Sequence, residues 1–365
     1  MNEFKIGDPF DKFIQTATIN NTFYLISIRS QTSVLSFYAL NDINLKAPVK
    51  VNLEKESFIN RSNRKTTLHN LFTLGSTGAV ERIDVKKIDE STPNSIDITS
   101  EETKLYMKNN KFIFTFDNNR GVVQILTVNP YDYSYTFKTI DKPFKAEKKL
   151  AKKSNSFILN SKLFVITSTK KDMEVNIQDY SSGKLLKKIK LNVNDKITFK
   201  NTPIIQEGCV YNDYRELEST KKFLRKLTMG DIGISAYKQN NEYLVTIGSE
   251  KEVSRGNGGM MMMPMGGFGG VPIAALGSAN VFFNPTFFAY NSYSKTKSVH
   301  IKSLFDLDFN HIDKEIENNF FDKIKNHAMP GNLLAAKTIF KYKDYFILGN
   351  YISKSKTYIL KKFDD

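Results

Sequence analysis

Four histidines and one cysteine are the side chains in this sequence best suited to nucleophilic, acid–base or metal chemistry. His69, His300, His311 and His327 stand in no HExxH, and neither a G-x-S-x-G turn nor a local Cys–His pairing accompanies them. Cys209 is alone in 365 residues, which excludes an internal disulfide and a thiolate zinc site. It follows Gly208 on an apolar run and is expected to be buried and inert. Two glycine-bearing segments fail as phosphate loops. Gly75–Gly78 (GSTG) is too short. Ser181–Leu185 (SSGKL) has no upstream glycine and no helical pattern after it, so it reads as a hairpin turn. No catalytic residue, metal centre or cofactor is therefore expected, and the chain is expected not to be an enzyme. The alternative is an enzyme or small-ligand binder whose site is gathered from separated segments about a central axis.

A second group with chemical potential is the methionine cluster. Met260, Met261, Met262, Met263 and Met265 stand among glycines in a stretch, residues 256–293, that has no Lys, Arg, Asp or Glu. Thioether sulfur is a soft donor suited to Cu(I), but no His or Cys lies nearby to complete such a site. Eight glycines between Gly256 and Gly277, with Pro264, Pro272 and Pro285, forbid a continuous helix, so the stretch cannot span a bilayer as one. Methionine is flexible and polarizable, and glycine lets the backbone conform. Together they suit a surface that moulds to a partner. The expected partner-binding residues are Met260, Met261, Met262, Met263, Met265 and Phe268. From Ile273 onward the apolar residues are expected to fold onto the chain itself.

Charge narrows the partners. The formal net charge is +15, the pI about 9.4 and the mean hydropathy −0.37. Residues 138–190 hold fourteen lysines, five acids and no arginine. Bidentate reading of phosphates and bases favours arginine, so sequence-specific nucleic-acid binding is not expected. A diffuse attraction to an acidic partner or anionic surface remains open, beside a solvated lysine face produced by biased composition. No run of eighteen apolar residues occurs, and no transmembrane segment is expected. The first fifteen residues lack the apolar core of a signal peptide.

The elements that must position any site are strands. Runs such as TFYLISI (Thr22–Ile28), NLFTLGS (Asn70–Ser76), KFIFTFDN (Lys111–Asn118), KLFVITST (Lys162–Thr169), EYLVTIGS (Glu242–Ser249) and DYFILGNY (Asp344–Tyr351) are rich in Phe, Tyr, Ile, Val and Thr between turn formers. Residues 162–191 predict a three-strand meander: Leu163–Thr167, Glu174–Tyr180 and Leu185–Leu191. The markers Phe23, Phe72, Phe112 and Phe164 recur at steps of 40–52 residues. Small antiparallel units at that period predict an all-β fold, a β-propeller of six or seven blades, over a single domain 1–365. A large β-sandwich is the alternative. Two insertions interrupt it: the Met/Gly-rich segment at 250–280 and a helical one at 306–329. In the latter, Ile312, Ile316, Phe320 and Ile324 fall four apart and predict one amphipathic helix. A lysine-rich helix is also expected over Asp141–Asn155.

The texture of residues 162–191, with the lysine–asparagine-rich composition and the glycine–methionine insertion, resembles bacterial β-propellers of no fixed enzymatic activity. Among them it resembles the plug subunit of the type nine secretion translocon of gliding bacteria. That resemblance implies a non-enzymatic, protein-binding accessory subunit of an envelope complex, acting in protein transport. Its Met/Gly-rich loop would meet an outer-membrane channel, and its place would be periplasmic or envelope-associated, with the cytoplasm the other possibility.

Overall fold

The computed structural model of the chain describes residues 7–41, 44–77, 80–144, 152–208, 214–250, 284–327 and 336–364. β-branched and aromatic residues keep most of these extended. The strands pair mainly with their neighbours in sequence. The fold is all-β, built of small, mainly antiparallel sheets in the manner of propeller blades, and the expected class holds. Two compact units form. Among the described residues the first comprises 7–89 and 101–144, and the second comprises 90–100 and everything from 152 onward.

In the first unit, β1 (Asp11–Ile19), β2 (Thr22–Arg29), β3 (Val34–Asn41) and β4 (Asn44–Leu45) form one sheet, with β5 (Val49–Asn52) also paired to β3. Helix α1 (Leu68–Phe72) leads into a ribbon of β6 (Thr73–Thr77) and β7 (Val80–Ile83). A second sheet runs in order from β8 (Lys86–Ile88) through β9 (Thr103–Lys108), β10 (Lys111–Phe116) and β11 (Val122–Val128) to β12 (Tyr135–Asp141). The core is aromatic: Phe37 stacks on Phe112 at 5.7 Å, and Tyr24 meets the same ring edge-on at 5.2 Å. Beneath it lies a fully buried charged group. Lys104 Nζ is 3.2 Å from Asp117 Oδ2, and Lys142 Nζ is 3.0 Å from Asp117 Oδ1, all three side chains being 0% exposed.

The second unit begins with α2 (Ile96–Thr99). The meander β13 (Lys153–Leu159), β14 (Lys162–Ser168), β15 (Asp172–Asp179) and β16 (Leu185–Asn192) follows. The next sheet is less local. It contains β17 (Ile204–Glu207), β18 (Tyr214–Leu217), β19 (Asp231–Gln239), β20 (Glu242–Glu250) and β21 (Ser298–Phe305), in the order β18-β17-β21-β20-β19. Helix α3 (Thr220–Met229) precedes β19, and α4 (Pro285–Ser294) precedes β21. Helix α5 (Phe320–Asn326) and the sheet of β22 (Ala336–Tyr342), β23 (Tyr345–Ile352) and β24 (Thr357–Phe363) complete it. Phe320 lies flat on Phe346, with centroids 3.6 Å apart and planes 4° apart, while Phe321 and Tyr290 pack around the pair. No described helix is long and apolar enough to cross a membrane.

Five sheets share one device. In each, two strands consecutive in sequence meet through a two-residue turn: Asn20–Asn21, Asn109–Asn110, Asn160–Ser161, Asn240–Asn241 and Lys343–Asp344. In the three Asn–Asn turns both residues have positive φ, from 46° to 62°. That is the backbone a type I′ hairpin requires, and asparagine tolerates it better than most residues.

The expected meander over 162–191 forms within a residue or two of its predicted bounds. Other expectations need correction. Phe72, taken as a strand marker, ends α1, where Thr67 caps the helix by accepting from the Asn70 N–H. The helix expected over 306–329 is confined to α5. Upstream, Asp306 Oδ1 accepts from the Asp308 and Asn310 N–H groups, Phe309 adopts φ +60°, and the Ile312 N–H bonds back to Leu304 O. These turns absorb the donors a helix would use. The lysine-rich segment at 141–155 begins as the end of β12 and finishes as the start of β13, with residues 145–151 outside the described set. Pro285, read as a helix breaker, instead stands at the first position of α4, where its missing N–H costs nothing.

Candidate functional site

Strand β21 carries Ser298, His300 and Lys302 at alternate positions, so the three share one face of the sheet. Its neighbours are short on that face. Gly248 on β20 pairs with His300, and a Cβ there would sit 2.7 Å from the His300 Cβ. On the other side Ile205 of β17 pairs with His300, which brings Glu207, two residues on, to the level of Ser298.

The chain leaves β17 through Gly208, at φ +74°. A Cβ there would stand 2.7 Å from both Thr296 O and the Lys297 Cγ. Only glycine allows this crossing, and the crossing fixes Glu207 beside the residues entering β21. Thr296 Oγ1 donates to Asp97 Oδ1 at 2.5 Å and lies 3.4 Å from Ser298 Oγ. Ser298 Oγ is 3.0 Å from His300 Nδ1, which is 3.8 Å from Glu207 Oε1. A polar line thus runs from Asp97 on α2 to Glu207 on β17. Beside it, Tyr293 donates its hydroxyl to Asp322 Oδ1 at 2.8 Å. The Tyr293 hydroxyl oxygen in turn accepts from Asn319 Nδ2 at 2.9 Å and from Lys302 Nζ at 3.3 Å.

Burial shifts these groups toward their neutral forms. It raises Asp97 above the usual carboxylate range against the hydrogen bond from Thr296. It raises Glu207 likewise, with Asp97 and Asp322 adding to the effect and Lys325 and Lys302 opposing it. Burial, with Lys302 nearby, lowers His300 to about 3, so its ring is neutral at physiological pH and its approach to Glu207 is not an ion pair. Tyr293 is pushed well above its ordinary value by burial and then by Asp322.

Two chemistries can be weighed here. A Ser–His hydrolase would use Ser298 and His300, but they are 3% and 4% exposed, and no substrate can reach that hydroxyl. The two carboxyls differ from that pair. Glu207 keeps 26% of its side chain exposed, and burial raises it, which favours the protonated form that a proton donor needs. Asp97, joined to the same polar line, supplies the second. No group of three or more metal-ligating acids, histidines or cysteines occurs among the described residues.

The residues expected to form the working surface, Met260, Met261, Met262, Met263, Met265 and Phe268, lie outside the described residues, as does Cys209. The apolar stretch from Ile273 onward enters the described set at Asn284, where Phe287, Ala289 and Tyr290 pack in the unit's own core. Sequence reasoning passed over Asp97 and Glu207, and it singled out His300 only as a histidine without a local catalytic motif. One signal was available, the alternation of polar and apolar residues in TKSVHIK (Thr296–Lys302), which sets four polar side chains on one strand face.

No family model matches the sequence, and neither does any curated protein. Similar solved structures include a β-1,3-galactosidase of glycoside hydrolase family 43. It shows 11% identity and a TM-score of 0.31, over 95% of this chain and 55% of its own. A family 43 α-L-arabinofuranosidase from Clostridium thermocellum shows 8% and 0.29, over 96% and 89%. The WD40 domain of SCAP from fission yeast shows 9% and 0.27, over 98% and 65%. This chain spans just over half the length of the first. These findings correct the expectation of a non-enzymatic accessory scaffold. Nothing ties the chain to a type nine secretion plug, and glycoside hydrolases of families 43 and 62 stand among the similar structures where a non-enzymatic scaffold was expected. Likenesses this distant carry over no residue, substrate or activity.

Proposed function

We propose that the second unit carries an acid–base site of the two-carboxyl type, with Glu207 as the proton donor and Asp97 as the second carboxyl, and that it hydrolyses a small glycoside. The observation that supports this is the pair itself. Two carboxyls from distant segments are both raised by burial; Asp97 begins a hydrogen-bonded line through Thr296 and Ser298 to His300, and Glu207 lies 3.8 Å beyond it. Glycoside hydrolysis uses two carboxyls, one protonated to supply a proton to the leaving oxygen and one ionised to assist at the sugar carbon; Asp97 would take the second role in its charged form, which the hydrogen bond from Thr296 favours against burial. Ser298 and His300 position Glu207, and Lys302 and Lys325 moderate its charge.

Aryl galactosides and arabinofuranosides, offered to the full chain, test this directly. Release of the aryl group should fall by roughly a hundredfold or more in Glu207→Gln. In the wild type it should decline as pH rises through the raised Glu207 value, because the donor form is lost. Turnover that Glu207→Gln and Asp97→Asn leave unchanged, or none by the wild type on any glycoside, overturns the proposal.

A further inference from the structure

A separate cleft of about 320 Å³ opens in the second unit, at the low end of the range of about 300–1,000 Å³ common for small-ligand sites. Four segments converge on it: the turn before α2, the β13–β14 turn at Leu159–Asn160, strand β19, and the β22–β23 hairpin. They bring charges of both signs to one concavity. Glu90 and Asp344 supply carboxylates, and Lys238 and Lys341 supply ammonium groups. Tyr237 and Phe346 supply the apolar wall. Glu90 is held in place, since its Oε2 accepts from the Asn160 main-chain N–H at 3.3 Å.

Lys238, Lys341 and Asp344 form no ion pair among the described residues, although they line the same cleft. Lys341 instead lies over the Phe346 ring at 5.7 Å. A purely anionic ligand would desolvate the two carboxylates without compensating them, and a purely cationic one would do the same to the lysines. A neutral sugar would answer neither pair. Only a ligand that carries both signs within a few bonds compensates each.

We infer that this cleft binds a small zwitterion, a carboxylate and an ammonium on one molecule the size of an amino acid. The site is independent of the Glu207 constellation. L-glutamate is the probe, with glutarate lacking the ammonium and glucose lacking charge, each titrated into the full chain by calorimetry. Glutamate should bind saturably in the millimolar range or tighter, glutarate at least about tenfold more weakly, and glucose not at all. Asp344→Asn should bring glutamate down to the level of glutarate. Lys238→Gln with Lys341→Gln should weaken both. These side chains are exposed, so an unchanged melting temperature confirms that each variant is folded. Glu207→Gln should leave glutamate binding intact, which separates this result from the fate of the acid–base site. Absence of saturable glutamate binding, equal binding of glucose, or indifference to Asp344→Asn overturns the inference.

Discussion

Replacing Gly208 with alanine is the most direct probe of how the backbone builds the site, because a second glycine serves as its control. Gly183 in the β15–β16 turn has φ +72°, nearly the φ +74° of Gly208. A Cβ at 183 would meet nothing within 4 Å, whereas one at 208 would meet Thr296 O at 2.7 Å and the Lys297 Cα at 2.8 Å. Both are backbone atoms that cannot swing aside. Holding an L-residue in the left-handed region costs roughly 1–2 kcal/mol, and the stiffer unfolded chain returns roughly 0.4–1 kcal/mol. Gly183→Ala should therefore lose about 1 kcal/mol. Gly208→Ala should lose that and, for the forced shift of residues 296–297, about 1–3 kcal/mol more, as other overpacked sites do. Both positions lie in the second unit, so one urea transition reports both, with the slope unchanged and only the midpoint moved. The carboxyl of Glu207, followed by carbon NMR, should titrate nearer the usual range in Gly208→Ala as Thr296 and Lys297 withdraw. Equal losses in the two variants would refute the claim that the crossing at Gly208 is sterically closed.

Two further outcomes follow from buried charge. His300 binds a proton only near pH 3 when folded and near 6.5 when unfolded, so the unfolded chain takes up more protons between those values and stability falls as pH drops through that window. At ~1.4 kcal/mol per unit the loss by pH 4 is about 3 kcal/mol, and urea midpoints at pH 7 and pH 4 should converge in His300→Asn, whereas parallel changes in variant and wild type would refute it. Asp117→Asn leaves the buried Lys104 and Lys142 facing each other and should destabilise the first unit by about 3–5 kcal/mol, while Lys104→Met should be neutral or stabilising; a loss above about 2 kcal/mol in Lys104→Met would show that the triad needs both cations.

What could be read from the sequence was local, and what could not was assembled at a distance. The meander over residues 162–191 was legible because alternating apolar residues and the SSG turn both act within a few positions. The Asn–Asn hairpins are equally local and mark the repeat better than Phe72, which ends a helix. Ile312, Ile316, Phe320 and Ile324 carry a helical period that tertiary turns override up to Asn319, where a capping box with Asp322 starts α5. Asp97, Glu207 and His300 gain their character from burial and from one another, and no window of sequence contains all three. Gly208 was visible as a glycine, but the need for it lies in Thr296 and Lys297, some ninety residues on.

The order in which the chain leaves the ribosome therefore matters to this site. The sheets β9–β12 and β13–β16 close through short turns and can form soon after their last strand emerges, since local contacts carry little loop-closure entropy. The sheet that bears His300 cannot. Strand β21 must pass 47 residues of intervening chain to insert between β20 and β17, and it makes the contacts to Glu207 and, through Thr296, to Asp97 only then. During synthesis the facing edges of β17 and β20 stay open until residue 305 has been made. That interval is when this chain is most exposed to mispairing and when a chaperone would hold it to best effect.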